Sequence, residues 1–252
     1  MFIYWFLVLQ MFIAWPVFAW HQDYGKLVDG QQSDISKFPY QVALQLVGKL
    51  TCGGSIIDKK WILTAAHCTF GRPHDLFTIR AGSSSPIANG TVYKVAKIHE
   101  HPKFSFATID YDIALIELES ELEFSDKVKV IELADYEPPI RAFGVVSGWG
   151  TMADGVPYIS PVLRSVEIPI VRRLTCNFRY FFKVTDRMIC AGYTFGGQNI
   201  CKGDSGGPLV YQGKQVGIVS WAAGCARPIS PGVFSNVPNL KDYVRAVTRL
   251  DI

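Results

Sequence analysis

Between residues 38 and 220 the chain breaks into short apolar segments separated by turn residues, and this rhythm limits its fold more than any other feature. Tyr40-Gln41-Val42-Ala43-Leu44-Gln45-Leu46 alternates with the period of a half-buried strand, and a second apolar segment runs from Ser55 to Leu63. Further short segments follow around 76–81, 91–98, 112–118, 143–149, 163–168 and 207–220. Strands at that spacing predict an all-β sandwich or barrel rather than alternating βα units. A chain of 252 residues can hold one large β domain or two smaller units. Glu137-Pro138-Pro139 interrupts the pattern and puts a division near 130–140. Only Leu240 to Leu250 shows helical spacing, with Leu240, Val244, Val247 and Leu250 on one side. That helix is expected to pack on a barrel rather than bind a membrane.

Apolar residues make up 49% of the chain, which places it with globular rather than disordered proteins. A net charge of +3 with no basic run gives no footprint for nucleic acid. The six cysteines include no CxxC pair, so neither zinc nor redox chemistry is indicated, and they allow 15 pairings among which arithmetic cannot choose. Residues 1–20 are apolar apart from Gln10, long enough to raise a transmembrane helix. Pro16 breaks the run, and Val17-Phe18-Ala19 offers a small-residue cleavage site, so a signal peptide over 1–19 and a secreted, extracellular chain are expected. If the run were kept, it would anchor the chain as a type II membrane protein. Asn89-Gly90-Thr91 fits an N-glycosylation sequon, and Asn-Gly equally fits a hairpin turn.

Chemistry concentrates in Cys201-Lys202-Gly203-Asp204-Ser205-Gly206-Gly207-Pro208. A lone Ser is a poor nucleophile and needs a base and donors for the oxyanion its attack creates. Glycines on either side of Ser205 let the backbone turn tightly, so N–H groups can point at a reacting carbonyl. Asp204, a charge within an apolar-flanked turn, needs a partner. Leu63-Thr64-Ala65-Ala66-His67-Cys68 supplies an imidazole fixed between small residues and a cysteine. Asp110-Tyr111-Asp112-Ile113-Ala114-Leu115 brings carboxylates to the start of an apolar strand, where burial demands a hydrogen-bonding partner such as an imidazole N–H.

With these fragments in hand, the chain from Leu27 to its C-terminus resembles the trypsin/chymotrypsin family of serine proteases. TAAHC at 64–68, DIAL at 112–115 and GDSGGP at 203–208 carry the resemblance, in the family's order of His, Asp, Ser. It implies two six-stranded antiparallel β-barrels with the active site in the cleft between them, and a C-terminal helix. It also implies the bridges Cys52–Cys68, Cys176–Cys190 and Cys201–Cys225, an invertebrate-like set of three. His67, Asp112 and Ser205 would form the catalytic triad, with N–H groups of Gly203 and Ser205 as the oxyanion hole and Ser220 bonded to the aspartate. Asp110 is a rival to Asp112 on the expected strand face, and the DIAL match favours Asp112. Cleavage after Lys26 would remove a propeptide over 20–26 and free Leu27 to pair with Asp204, since a buried charge is tolerable only as a pair. Leu50 stands where many relatives carry a histidine that holds this aspartate in the precursor.

Trypsins place an aspartate at the pocket floor six residues before the nucleophile; here that position is Asn199. An amide cannot offset the desolvation of a Lys or Arg head as a carboxylate does. By the same resemblance, Ile200 would make the floor apolar on one side, Ser220, Trp221 and Ala222 would form one wall, and Gly232 would leave the pocket deep. Ala222, in place of the usual glycine, is expected to narrow the entrance slightly. The expected function is a secreted serine endopeptidase, made as a zymogen, that cuts after uncharged, medium-to-large side chains. The alternative is a catalytically silent homologue that acts as a binding or regulatory protein. No cofactor or metal is expected, since Ser83-Ser84-Ser85-Pro86-Ile87-Ala88 has no carboxylate where calcium-binding relatives carry ligands. Expected partners are protein or peptide substrates, a separate trypsin-like activating protease and possible protease inhibitors. The processed chain is expected to be a monomer with no membrane or nucleic-acid partner.

Overall fold

The computed structural model describes residues 30–151, 156–193, 200–201, 203–225 and 230–252. Six antiparallel strands close the first barrel: β2 (Gln41–Leu46), β3 (Lys49–Ile56), β4 (Trp61–Thr64), β5 (Phe77–Ala81), β6 (Thr91–Glu100) and β7 (Ala114–Leu118). They are joined in the order β2-β3-β4-β7-β6-β5, and β5 returns to β2. The second barrel takes β9 (Phe143–Gly148), β10 (Arg164–Val171), β11 (Met188–Ala191), β12 (Pro208–Tyr211), β13 (Lys214–Trp221) and β14 (Gly232–Asn236). Its order is β9-β10-β11-β14-β13-β12, closed by pairing of β12 with β9. The short strands β1 (Gln31–Gln32) and β8 (Glu132–Leu133) attach to β10 and β13. Closure leaves each barrel few free edges, which suits strands this short.

Alternation in β2 turns Val42 and Leu44 into the first core, among Ile62, Phe77, Ile79 and Leu115. Each such side chain contributes about 2 kcal/mol by leaving water. The opposite face of β2 does not meet solvent. Gln41 and Gln45 are buried, and Ala43 packs with Trp149. Buried polar groups must be paired, and two of these pairs tie the barrels together. Ser147 Oγ donates to Gln41 Oε1 at 2.6 Å, and Ser55 Oγ donates to Gln215 Oε1 at 2.6 Å.

Several sequence boundaries move. The segment 55–63 spans the end of β3 and the start of β4, and 207–220 is two strands joined through Gln212-Gly213, both at positive φ. Asn89-Gly90 is not a two-residue hairpin turn: Ala81 pairs with Thr91, so the exposed Asn89 sits near the end of a loop over 82–90. The C-terminal helix α2 (Val237–Thr248) starts earlier than its stripe, with Pro238 in its first turn, and stops before Leu250 at Arg249, whose φ is +58°. Its Val237, Leu240 and Val244 return to the first barrel's core. A second helix, α1 (Arg173–Arg179), has no counterpart in the sequence pattern, because Cys176 is its one buried residue. β14 escaped the same reading because it is buried on both faces, including Ser235 and Asn236.

Candidate active site

β4 leads into a single 3-10 turn, Ala66–Cys68, which presents His67 beside the interbarrel surface. A disulfide from Cys68 to Cys52 on β3 clamps that turn. Asp112 lies two residues before β7 and is buried to 1% of its possible exposure. Its Oδ1 accepts the His67 backbone N–H at 2.8 Å, and its Oδ2 lies 2.7 Å from His67 Nδ1. Ser220 Oγ donates to the same Oδ2, and Ser235 Oγ donates to the Asp112 carbonyl at 2.6 Å. A carboxylate this buried needs several donors, and they come from both barrels. With Nδ1–H directed at Asp112, Nε2 is left with a lone pair, the arrangement a proton acceptor requires. Ser235 had no local sequence signal, since a Ser ending an apolar strand carries no mark of what it faces.

Asp110 does not share a strand face with Asp112. Both lie in the loop before β7, where Tyr111 has φ +55° and turns consecutive side chains apart. Arg187 takes Asp110, with Nη2 to Oδ2 at 2.7 Å and Nε to Oδ1 at 3.0 Å, and stacks over the Tyr111 ring. Burial raises the Asp110 carboxyl, but hydrogen bonds from Arg187, the Tyr111 amide and Thr185 outweigh it and hold the group below the usual carboxylate range.

Ser205 joins this group through its backbone. Its carbonyl accepts Gly53 N–H at 2.7 Å, one residue from the Cys52 bridge, and Gly206 N–H donates to Val219 O at 2.8 Å. Gly206 has φ +77°, and a Cβ there would lie 2.2 Å from Thr64 Oγ1 and 2.5 Å from the Gly53 carbonyl. No side chain fits between the Ser205 loop and the strand that leads to His67. Gly206→Ala is therefore expected to lose at least about 3 kcal/mol of stability, combining overpacking with left-handed strain. Urea unfolding would measure it, and a loss under about 1 kcal/mol would mean the loop is not held this closely.

Beside Ser205 opens a cavity of about 150 Å³ walled by Ile200, Ser220, Trp221, Ala222 and the Cys201–Cys225 bridge. Gly232 begins β14, paired with Ala191, and is buried next to the β13 wall. Trp221 packs edge-on to Tyr180, 4.7 Å between ring centroids, and Tyr180 follows α1, which Cys176–Cys190 ties to β11. Asn199, Lys26 and Leu27 lie outside the described residues.

Asp204 points the other way, into the second barrel. Its Oδ1 accepts Gly150 N–H at 2.8 Å and its Oδ2 accepts Cys201 N–H at 3.0 Å. A Cβ at Gly148 or Gly150 would lie 2.3 Å from these oxygens, so both positions must lack a side chain. Burial pushes the Asp204 carboxyl up to about 6, against the lowering effect of the two amides. A cavity of about 20 Å³ adjoins it, bounded by Gly30, Val146 and Arg164 among others. Arg164 directs its guanidinium to Gly30 O and Ser160 Oγ. Leu50 packs with Ile35, Ala43 and Trp149.

Comparison with known proteins agrees with this geometry. A family model described as Trypsin matches residues 27–244. Trypsin 5G1 of Aedes aegypti is 40% identical over 231 residues, covering 90% of this chain and 86% of the relative. Hypodermin-A of Hypoderma lineatum is 39% identical over 248 residues, covering 95% of this chain and 96% of the relative. Among solved structures, neuropsin, a serine protease expressed in the limbic system of mouse brain, superposes with a TM-score of 0.81 at 32% identity. It covers 87% of this chain and 98% of its own.

Proposed function

Because the chain belongs to the trypsin family of serine endopeptidases, we propose that it is a secreted protease, made as a zymogen, in which His67, Asp112 and Ser205 hydrolyse peptide bonds through an acyl-enzyme. The observation that carries this reading is the convergence of His67 and Ser220 on the buried Asp112, with the Ser205 carbonyl held by Gly53 beside the Cys52–Cys68 bridge that clamps the His67 turn. His67 Nε2 takes the Ser205 proton as Oγ attacks the carbonyl, and Asp112 stabilises the imidazolium. The N–H groups of Gly203 and Ser205 receive the oxyanion. His67 then returns the proton to the leaving amine, and water repeats the cycle to release the acid. This is the general Ser–His–Asp template, with its roles assigned to these residues.

Activation follows from the surroundings of Asp204. Cleavage after Lys26 by a separate trypsin-like protease frees the Leu27 ammonium, which enters the small cavity and pairs with Asp204. In the uncleaved chain the Gly150 and Cys201 amides hold that carboxylate, a role suited to the absence of a histidine at Leu50. A signal peptide over 1–19 and a propeptide over 20–26 precede this domain. Three disulfides agree with an oxidising compartment. No helix among the described residues is long and apolar enough to cross a membrane. The exposed Asn89 is available as a glycan acceptor, and the processed enzyme acts as a monomer that protease inhibitors can block.

Specificity rests on Asn199 and on the apolar wall that Ile200 and Ala222 supply. Leu, Met, Phe and Tyr fill such a pocket, whereas a Lys or Arg head would be desolvated with no carboxylate beneath it. Profiling the processed enzyme on a peptide library should show cuts after these uncharged residues, at least about tenfold above Lys or Arg. The pure precursor should not process itself at Lys26. Equal cleavage after Arg would overturn the assignment of specificity, and no cleavage at all from a correctly formed Leu27 terminus would overturn the protease reading.

A further inference from the structure

Outside the cleft, α1 and the turn after it carry an exposed apolar surface that packing does not explain. Leu174, Phe178, Phe181 and Phe182 are 55, 63, 85 and 66% exposed. Phe178 and Phe182 meet edge to face, 5.1 Å between centroids. Phe181 and Phe182 have φ of +52° and +60°, a conformation that costs bulky residues energy. The turn is nonetheless braced: Phe182 N–H donates to Asn177 O, and Val184 N–H donates to Asn177 Oδ1, both at 2.8 Å. The inner side is anchored by the Cys176–Cys190 bridge and by Tyr180 Oη, which donates to Pro231 O. Strained aromatics on a rigid base, turned to water, indicate a surface that meets something.

Charge says what. Arg172, Arg173, Arg179 and Lys183 are interleaved with the aromatics along this stretch of chain; all are exposed, and none forms an ion pair among the described residues. No Asp or Glu occurs between Glu167 and Asp186. We propose that this face docks the enzyme onto an anionic lipid bilayer, with Phe178, Phe181 and Phe182 entering the acyl boundary and the four cations engaging headgroups. A second copy of the chain would bring these cations against their own kind. A soluble polyanion would use the cations alone and leave the Phe rings, which have no polar tip, in water. A fluid bilayer accommodates exposed aromatics interleaved with cations. The sequence reading assigns the processed chain no membrane partner because it weighs only residues 1–20 and the C-terminal helix.

The test uses the chain from Leu27 onward, which carries the whole described fold, with Ser205→Ala to prevent digestion. Sedimentation with phosphatidylcholine vesicles containing 30 mol% phosphatidylserine is compared with sedimentation on phosphatidylcholine alone. Binding is expected on the anionic vesicles only, weakened about a hundredfold or more in R172Q/R173Q/R179Q/K183Q. F178Q/F181N/F182N should weaken it at least about tenfold. Asn accepts the left-handed turn, so this variant should unfold at the same denaturant concentration as the parent or a higher one, which separates lost docking from lost folding. No binding to anionic vesicles overturns the proposal. Retention on heparin and on vesicles that the aromatic variant leaves unchanged also overturns it, in favour of a polyanion site.

Discussion

Replacing Asp112 with Asn in the processed enzyme is expected to lower kcat about 10⁴-fold while KM stays within about threefold, a size taken from the general Ser–His–Asp template. Three donors converge on the Asp112 carboxylate: His67 N–H, His67 Nδ1–H and Ser220 O–H. An amide at 112 offers one oxygen and turns an NH2 toward the imidazole. The ring then keeps its proton on Nε2, the atom that must accept the Ser205 proton, so the base is lost although the side chain hardly changes shape. Steady-state kinetics on the best library peptide, normalised to folded enzyme, would measure this. Asp110→Asn serves as the control. It should keep kcat within a few-fold and lower thermal stability, because it weakens the Arg187 bridge rather than the His67 contact. A loss of kcat confined to the Asp110 variant would reverse the two assignments.

The second large effect concerns pH. Asp204 in the uncleaved chain has a carboxyl raised by burial from 3.8 to about 6, so the folded state binds this proton more tightly than the unfolded state does. A group raised in this way contributes stability that is complete below its unfolded value and is lost as pH rises through its folded value. Between pH 4 and 7 the precursor should thus lose about 2 kcal/mol relative to an Asp204→Asn precursor, in which this group does not titrate. On the proposal that cutting after Lys26 brings the Leu27 ammonium to the carboxylate, the charged form is favoured in the processed chain and the sign inverts. The processed chain should gain stability over its own Asp204→Asn variant as pH rises. Denaturant unfolding of both forms across this range, on a Ser205→Ala background, would read the difference. Parallel curves for precursor and processed chain would remove Asp204 as the element that senses cleavage.

Glycine substitution at 206 tests the same architecture from the backbone side, because the Ser205 loop and the strand leading to His67 approach too closely for a methyl group. That constraint was half legible. Glycines flanking a serine announce a tight turn, but which backbone they must approach depends on Thr64 and Gly53, more than 140 positions away in the chain. The polar pairs between the barrels were hidden for a similar reason. Gln41 and Gln45 alternate with Val42 and Leu44 as if they faced water, yet Ser147 of the second barrel takes Gln41, and Thr78 and the Pro86 carbonyl of the first barrel's own loop take Gln45. α1 was hidden because its outward face is as apolar as its inward one, which removes the periodicity that marks a surface helix.

What the sequence determined by itself was local in its physics: short alternating strands between turns, glycines around a serine, an imidazole among small residues, and a carboxylate at the head of an apolar strand. These follow from dihedral preference and from the cost of burying a charge, and both act within a few residues. Tertiary structure decided which groups meet. Asp110 and Asp112 are chemically identical and stand two positions apart, yet one is taken by Arg187, 77 positions along the chain, and the other by His67 and Ser220. The left-handed turn at Tyr111 separates their directions; the second barrel brings Arg187 to one and Ser220 to the other, which His67 reaches from the first barrel. Electrostatic pairing depends on distances of a few ångströms in space, and those distances exist only once both barrels have closed.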